Sequence, residues 1–368
     1  MNNKIELTGN IGEWSEIYTL LKLLGEGKVY AGDQDLEKIK ELVYPIIMII
    51  RQEKENVYDY KCEQADVVIQ TADGTELLRL SANTFLNEAE SLLKAMHEKP
   101  AKMRSFPIAR TQAFMDKIYC KTLKASSSDK TDIRIVLHDQ RTKLNNEMGF
   151  SIKSQLGSDS TLLNASGATN FTYQVQGYDF TDEEIEKINA ISTKSKIIDR
   201  IAAIRSKGGK LVFNHVDNAV FDRNLAMLDC CLDKVIAQLL IEQFNTGSRM
   251  FHELAKALAE TNPLAFAGDD AEGMYIYKLK HLLTSAALGM MPSKKWNGRY
   301  DANGGYLVVK KDGEILCYHF YDKNRFEDFL FKNAYLDRGK TGRHGYASLY
   351  RGDDGNVYFK LNLQIRLK

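Results

Sequence analysis

The fold is decided by two short stretches in the middle of the chain, Lys130-Thr131-Asp132-Ile133 and Gly149-Phe150-Ser151-Ile152-Lys153-Ser154. Apolar and polar residues alternate from 133 to 138, and the apolar run at 148–156 is short, so both regions are predicted to be strands. A turn at 142–146 joins them into a hairpin. In this hairpin, Asp132 at the start of the first strand faces the later part of the second strand, where Lys153 lies.

Lys153 is the residue of this hairpin that most needs an explanation. It is two positions from Ser151, so both side chains leave the same face of the strand while Ile152 packs on the other face. A lysine among apolar neighbours is costly to bury unless its ammonium group meets an anion, and Asp132 is well placed to be that anion. Two interpretations follow, a structural ion pair and a functional site.

The rest of the chain has both helical and strand patterns. Helices are predicted from Gly12 to Gly25, at 35–54, at 82–98, through Phe114 and Ile118, over most of 181–288 and at 325–332. Strands are predicted at 57–61, 66–70, 171–175, 306–310, 314–321, 345–350 and 357–366. We expect the strand at 171–175 to join the hairpin in one antiparallel sheet. These patterns predict a mixed α/β protein.

Composition narrows the class of protein further. The 368 residues predict one large or two fused domains, and a net charge of +1 excludes attraction of a partner by overall charge. Basic residues are concentrated late, because residues 292–368 contain 15 Lys and Arg against 9 Asp and Glu. Five scattered cysteines and the lack of a long apolar run predict a protein of a reducing cytoplasm that does not enter the membrane.

The hairpin resembles that of the PD-(D/E)xK nucleases, in which an aspartate starts one strand and an acid-x-Lys triplet occupies its partner. Asp132 and Lys153 match this pattern, whereas Ser151 stands where the second carboxylate is usual. Another acid must then complete the metal site. The resemblance makes Glu16 on the first helix the candidate, with Glu13 one turn away as the alternative.

The resemblance extends over the whole chain. Six blocks in order are similar to the HpaII family of restriction endonucleases: Gly9 to Glu16, Lys130 to Ile133, Gly149 to Gly157, Thr161 to Ala165, Thr169 to Phe171 and Lys360 to Arg366. This resemblance implies a Type II restriction endonuclease of a bacterial restriction-modification system, which cuts duplex DNA at a short palindrome, expected to be CCGG, and leaves a 5′ phosphate.

The implied fold is a restriction-endonuclease-like core with a mixed central sheet flanked by helices, plus additional helical and C-terminal β elements. We expect the nuclease core at 1–180, a helical region at 181–291 and a basic, β-rich, DNA-contacting region at 292–368. The implied partners are double-stranded DNA and, as a genetic partner, a cognate DNA methyltransferase. A homodimer is the default expectation for a palindromic site.

The resemblance also implies roles for the site residues. Asp132, Glu16 and the main-chain carbonyl of Ile152 hold Mg²⁺ through oxygen ligands. Lys153 orients the attacking water and offsets charge on the phosphorane, and Ser151 gives a supporting hydrogen bond. The candidates for DNA contacts lie in polar or glycine-bearing loops and are Asn164, Asn170, Lys340, Arg343 and His344.

Other functions are less well supported by the sequence. Gly339-Lys340-Thr341 has part of a nucleotide-binding loop pattern, but alanine occupies position 334, where an earlier glycine is required. A nucleophilic hydrolase is disfavoured because no GxSxG motif occurs. A repair nuclease and a non-catalytic DNA-binding module of the same superfold stay as alternatives, the latter because of the missing carboxylate.

Overall fold

The computed structural model describes residues 6–99, 103–124, 131–139, 143–267 and 270–368. Lys130 and the first residue of the predicted turn at 142–146 lie outside these ranges. Within them, no helix has both the length and the apolar character required to cross a bilayer.

The helices and strands are numbered in chain order. The helices are α1 (Ile11–Glu26), α2 (Ala82–His97), α3 (Ala109–Lys117), α4 (Asp182–Asn189), α5 (Lys196–Ser206), α6 (Ala219–Leu228), α7 (Leu232–Thr246), α8 (Phe251–Thr261), α9 (Ala271–Leu288), α10 (Lys323–Asn333) and α11 (Thr341–His344). The strands are β1 (Thr8–Gly9), β2 (Lys28–Gly32), β3 (Lys38–Gln52), β4 (Val57–Glu63), β5 (Asp66–Thr71), β6 (Glu76–Ser81), β7 (Phe106–Pro107), β8 (Ile133–His138), β9 (Asn145–Ser154), β10 (Ser160–Leu163), β11 (Asn170–Gln176), β12 (Lys210–Val216), β13 (Gly305–Val309), β14 (Ile315–His319), β15 (Ala334–Asp337), β16 (Leu349–Arg351), β17 (Val357–Asn362) and β18 (Gln364–Leu367).

The chain divides into two compact units. The first unit comprises Met1–Ser160 and Tyr300–Phe329, and the second unit comprises Thr161–Arg299 and Leu330–Lys368. The central helices α4–α9 and the C-terminal strands β15–β18 therefore share a unit. The three-part division predicted from the sequence stays a prediction.

The first unit is built on a mixed sheet, which confirms the predicted fold class. Over the described residues its strand order is β2-β14-β13-β9-β8-β3-β4-β5-β6. Strand β9 pairs antiparallel with β8, as predicted for the hairpin, and parallel with β13 on its other edge. The hairpin thus lies inside the sheet, where strands on both sides fix its position.

The predicted helix at 35–54 is wrong, because these residues form the long strand β3. Its first half pairs with β2, and its second half pairs with β8 and β4. Pro45 lies where the pairing changes, and a proline in the middle of a helix removes a hydrogen bond and clashes with the preceding turn. The many β-branched residues of this segment favour a strand for the same reason that they disfavour a helix.

The prediction that the strand at 171–175 joins the hairpin is also wrong. This strand is β11, and it belongs to a sheet of the second unit with the order β12-β11-β17-β16. Its partners β12 and β17 run antiparallel to it and cover both of its edges. Strand β12 lies within the mostly helical region predicted at 181–288, so the prediction missed this strand.

Helix α1 begins with a capping box and packs against the hairpin. The Asn10 side chain accepts a hydrogen bond from the Glu13 N–H, and the Glu13 carboxylate accepts one from the Asn10 N–H. One turn later, the Ser15 hydroxyl lies 2.8 Å from the hydroxyl of Ser154 at the end of β9. This contact places Glu16, the next residue of the helix, beside the hairpin.

Candidate active site

Asp132 lies at the start of β8 and bonds directly to β9. Its Oδ2 accepts hydrogen bonds from the Ser151 hydroxyl at 2.9 Å and from the Ile152 N–H at 2.7 Å. Its own N–H donates to the Phe150 carbonyl at 2.9 Å. The carboxylate therefore has a fixed orientation, and no hydrogen bond within the described residues uses its Oδ1.

The carbonyl of Ile152 faces the same space as this carboxylate. The N–H and C=O of one strand residue point to the same edge of the strand. The Ile152 N–H points toward Asp132, where the pairing of β8 with β9 has ended after Ile133 and Phe150. The Ile152 oxygen thus lies on the edge that β8 no longer covers.

Lys153 lies next on β9, and its side chain is half-buried. Burial lowers the pKa of its ammonium group, while the negative charges of Asp132 and Glu16 act in the opposite direction. Its Nζ lies 4.9 Å from the centre of the Tyr306 ring on β13, which is a cation–π contact. The ammonium group therefore lies against an aromatic ring and feels the charge of two carboxylates.

Glu16 is half-buried on α1, and its acidity is strongly changed. Burial raises the pKa of its carboxyl group to about 8, and the negative charge of Asp132 is the next largest cause. Lys124 and Arg51 lower this pKa in part. Two carboxyl groups that repel each other in a partly buried site are typical of a cation-binding site.

Glu13, the alternative to Glu16, is engaged within the protein. One of its oxygens closes the capping box of α1, and the other lies 3.4 Å from the Lys124 Nζ. Both glutamates line the same cavity as the hairpin residues.

Lys124 was not identified from the sequence, although it also lines this cavity. A buried ion pair on β3 holds the segment that carries it, because the Arg51 guanidinium donates to the Thr122 carbonyl and the Thr122 hydroxyl donates to Glu53 at 2.9 Å. Arg51 and Glu53 lie 2.7 Å apart and are almost fully buried. Such a long-range contact has no local sequence signal.

These side chains open into one cavity of about 690 Å³, which we call the active-site cavity. It lies within the first unit, and its charged lining residues carry both signs: Glu13, Glu16, Lys99, Arg104, Lys124, Asp132 and Lys153. Ser151 is buried beside this cavity and does not line it, but its hydroxyl donates a hydrogen bond to Asp132, which does.

The residues present fit a small divalent cation. Carboxylate and carbonyl oxygens are the ligands that hard cations prefer. Among the described residues, no group of three or more His, Cys, Asp and Glu side chains is arranged to hold a metal. The oxygen donors that this part of the chain offers are two carboxylates and one main-chain carbonyl, with a serine at position 151.

The predicted DNA-contact residues all lie in the second unit. Asn164 is exposed, and Lys340 and Arg343 line a separate cavity. Asn170 is buried, and its amide donates to the His344 carbonyl at 2.8 Å while its oxygen accepts from Asn362 at 2.7 Å. Its side chain thus fixes the C-terminal end of α11, where His344 lies, and its role toward DNA stays a prediction.

Comparisons with known proteins give a consistent result. The model of the HpaII restriction endonuclease family matches residues 10–367. The chain is 41% identical over 359 residues to the Type II restriction enzyme HpaII of Haemophilus parainfluenzae, which covers 98% of each chain. No solved structure gives a significant match.

Proposed function

Because the chain belongs to the HpaII restriction endonuclease family and is a Type II site-specific deoxyribonuclease acting on DNA, we propose that it cleaves both strands of CCGG with Mg²⁺ bound in the active-site cavity. Type II restriction endonucleases generally use divalent metal ions. The observation that carries the assignment of the site is the convergence of Asp132, Glu16 and Lys153 on one cavity, with Asp132 fixed by two hydrogen bonds on a single oxygen.

Asp132, Glu16 and the carbonyl of Ile152 would hold the cation, with Glu13 as the alternative to Glu16. We favour Glu16 because Asp132 acts on its pKa and because the Glu13 carboxylate already caps α1. A bound divalent cation supplies polarisation of water and neutralisation of charge at the scissile phosphate.

The side chains of the protein have separate tasks in this proposal. Lys153 orients the attacking water and stabilises the negative charge that develops on the phosphate, which is worth most in a site that excludes bulk water. Ser151 fixes the Asp132 carboxylate through its hydrogen bond. Cleavage leaves a 5′ phosphate, and the hairpin is assigned to the PD-(D/E)xK type on this arrangement.

The wider setting follows from the family. A cytoplasmic enzyme that cuts CCGG endangers the DNA of its own bacterial host, so we propose that a cognate methyltransferase protects the same sequence. A homodimer matches the two-fold symmetry of a palindrome and is proposed as the form that cuts both strands. Asn164, Asn170, Lys340, Arg343 and His344 stay as the proposed DNA contacts.

Digestion of plasmid DNA with Mg²⁺, followed by sequencing of the fragment ends, tests the proposed function. Discrete fragments that end within CCGG and carry 5′ phosphates are expected. A smear or lesion-dependent nicking would indicate a repair nuclease, and intact DNA with retained binding would indicate a non-catalytic module. Methylation of the plasmid at CCGG should protect it.

A further inference from the structure

The second unit contains a cavity of about 490 Å³ whose charged lining residues are all cations. We call it the basic cavity. Residues 194–197 and 338–343 line it, and they contribute Lys194, Lys196, Arg338, Lys340 and Arg343. None of these described lining residues is acidic, so the cavity attracts anions strongly.

The cations of the basic cavity are not neutralised within the described part of the chain. Lys194, Lys196, Lys340 and Arg343 have no ion-pair partner there. Elsewhere in the second unit the chain does pair its cations, since Lys360 lies 2.6 Å from Asp217 and Arg366 lies 2.6 Å from Asp337. The lack of acids among the described lining residues is therefore a local property, and the neighbouring acids Asp199 and Asp337 do not line the cavity.

Arg338, a half-buried cation of the basic cavity, also contacts neutral groups. Its Nε donates to the Gln243 side-chain oxygen at 3.4 Å, and its guanidinium lies 4.9 Å from the centre of the Phe244 ring. Burial lowers the pKa of Arg338, and the neighbouring positive charge of Arg249 lowers it further. Neutral groups thus position this side chain, and the negative charge of Asp337 offsets its charge only in part.

The loop that carries these residues is fixed before any ligand binds. The Tyr346 hydroxyl donates to the Gly339 carbonyl. A Cβ at Gly339 would lie 2.8 Å from the Cβ of Ala165, so only glycine allows this close packing. The first turn of α5 lines the same cavity, and Asp199 of that turn offsets part of the positive field at this end of the helix. A preorganised site loses less entropy when it binds.

We propose that the basic cavity binds the sugar-phosphate backbone of the DNA substrate, and not a base edge or a free phosphate ion. This inference rests on the proposed function and adds Lys194, Lys196 and Arg338 to its DNA contacts. Lysines supply three of the five cations, and a lysine acts as a point charge on phosphate with little geometric selectivity. Backbone contacts of this kind position the protein on DNA without reading its sequence.

The test is the salt dependence of DNA binding. A fluorescent 20-base-pair duplex with one CCGG site, and the same duplex with that site scrambled, are titrated without divalent cation at several NaCl concentrations. The double variant Lys196→Gln and Lys340→Gln should lower the slope of log K against log [NaCl] by about 2, and it should weaken binding to both duplexes alike. Lys234→Gln, an exposed lysine of α7, is the matched control and should leave the slope unchanged.

Two results would overturn the inference. An unchanged slope would remove the backbone contact, and a loss confined to the CCGG duplex would indicate base reading. If the slope is unchanged, thermal stabilisation of the wild type, but not of the double variant, by inorganic phosphate at constant ionic strength would show that the cavity binds a free phosphate ion instead. The single variants, at exposed or half-buried lysines, repeat the test if the double variant is unstable.

The same preparations separate this inference from the proposed function. If the wild-type protein cuts plasmid at CCGG but the double variant shows no change of slope, only the inference about the basic cavity is contradicted. If the double variant lowers the slope but the wild-type protein does not cut plasmid, only the proposed function is contradicted.

Discussion

The active-site cavity of the first unit and the basic cavity of the second unit differ in one decisive respect. The active-site cavity places Asp132, Glu16 and Glu13 among its cations, whereas the described lining of the basic cavity contains cations only. Carboxylates are needed to hold a divalent cation, and they repel DNA when that cation is absent. A site without acids attracts DNA at all times but has no means of activating water. Under the proposed function, the active-site cavity is therefore suited to cutting DNA and the basic cavity to binding it.

Lys153→Ala should have the largest effect. It should change DNA cleavage by the active-site cavity and leave DNA binding by the basic cavity unchanged. Loss of the ammonium group removes stabilisation of the transition state, so the cleavage rate should fall by about 100- to 1000-fold or more. Binding to the CCGG duplex and its salt slope should be preserved. Single-turnover cleavage and binding titrations measure both, with Lys117→Ala on α3 as the control. Unchanged turnover would remove Lys153 from the mechanism.

Glu16→Gln should change how the enzyme responds to pH and Mg²⁺. The pKa of Glu16 is raised to about 8, so below that pH a cation must displace a proton to bind. As the pH is increased toward this pKa, the apparent affinity for Mg²⁺ should rise by up to about tenfold per pH unit. Above this pKa the affinity should no longer change with pH. The variant should lose this pH dependence and need about tenfold more Mg²⁺ or higher.

The matched control for this experiment is Glu13→Gln, which keeps the capping box of α1 because glutamine also accepts the Asn10 hydrogen bond. It should retain the pH dependence. If Glu13→Gln loses the pH dependence while Glu16→Gln keeps it, Glu13 and not Glu16 is the metal ligand.

The raised pKa of Glu16 also has a consequence for stability. A folded-state pKa above the ordinary value means that the contribution of Glu16 to the free energy of unfolding is complete below pH 4.5 and is lost as the pH rises to about 8. Denaturant unfolding of the metal-free protein across this range should show the loss in the wild type and not in Glu16→Gln.

Lys124→Ala should have a smaller effect on the same titration. Lys124 lowers the pKa of Glu16, so its removal should shift the levelling-off of the Mg²⁺ response to higher pH. The shift should be less than about one pH unit, because this exposed charge is screened by water and salt. Lys117→Ala should give no shift. A shift to lower pH would show that Lys124 does not act on Glu16 through its charge.

The sequence predicted the hairpin and its chemistry because both depend on local spacing. Asp132, Ser151 and Lys153 are placed by strand alternation and by one turn, so their mutual positions follow from the pattern. Pro45 and its β-branched neighbours contained the signal for β3 that the helix prediction overlooked. The pairing of β11 with β12 and β17 depends on segments far apart in the chain, and no local pattern gives it.

The surroundings of the hairpin residues were less predictable for the same physical reason. Lys124 reaches the active-site cavity because Arg51 and Glu53, about seventy residues earlier, bind its segment. The basic cavity combines two loops, of which the sequence indicated only Lys340 and Arg343. The reason for glycine at 339 is its close packing against Ala165, which no local sequence pattern indicates.

Calorimetric titration of Mg²⁺ into a complex of the Lys153→Ala enzyme with the CCGG duplex tests the central assignment most directly, since this background leaves the duplex intact. Addition of Asp132→Asn should abolish the Mg²⁺ binding signal, and addition of Glu16→Gln should weaken the Mg²⁺ affinity about tenfold or more, while Glu13→Gln should leave the signal in place. Undiminished Mg²⁺ binding in the Asp132→Asn double variant would contradict the assignment of the cation to this hairpin.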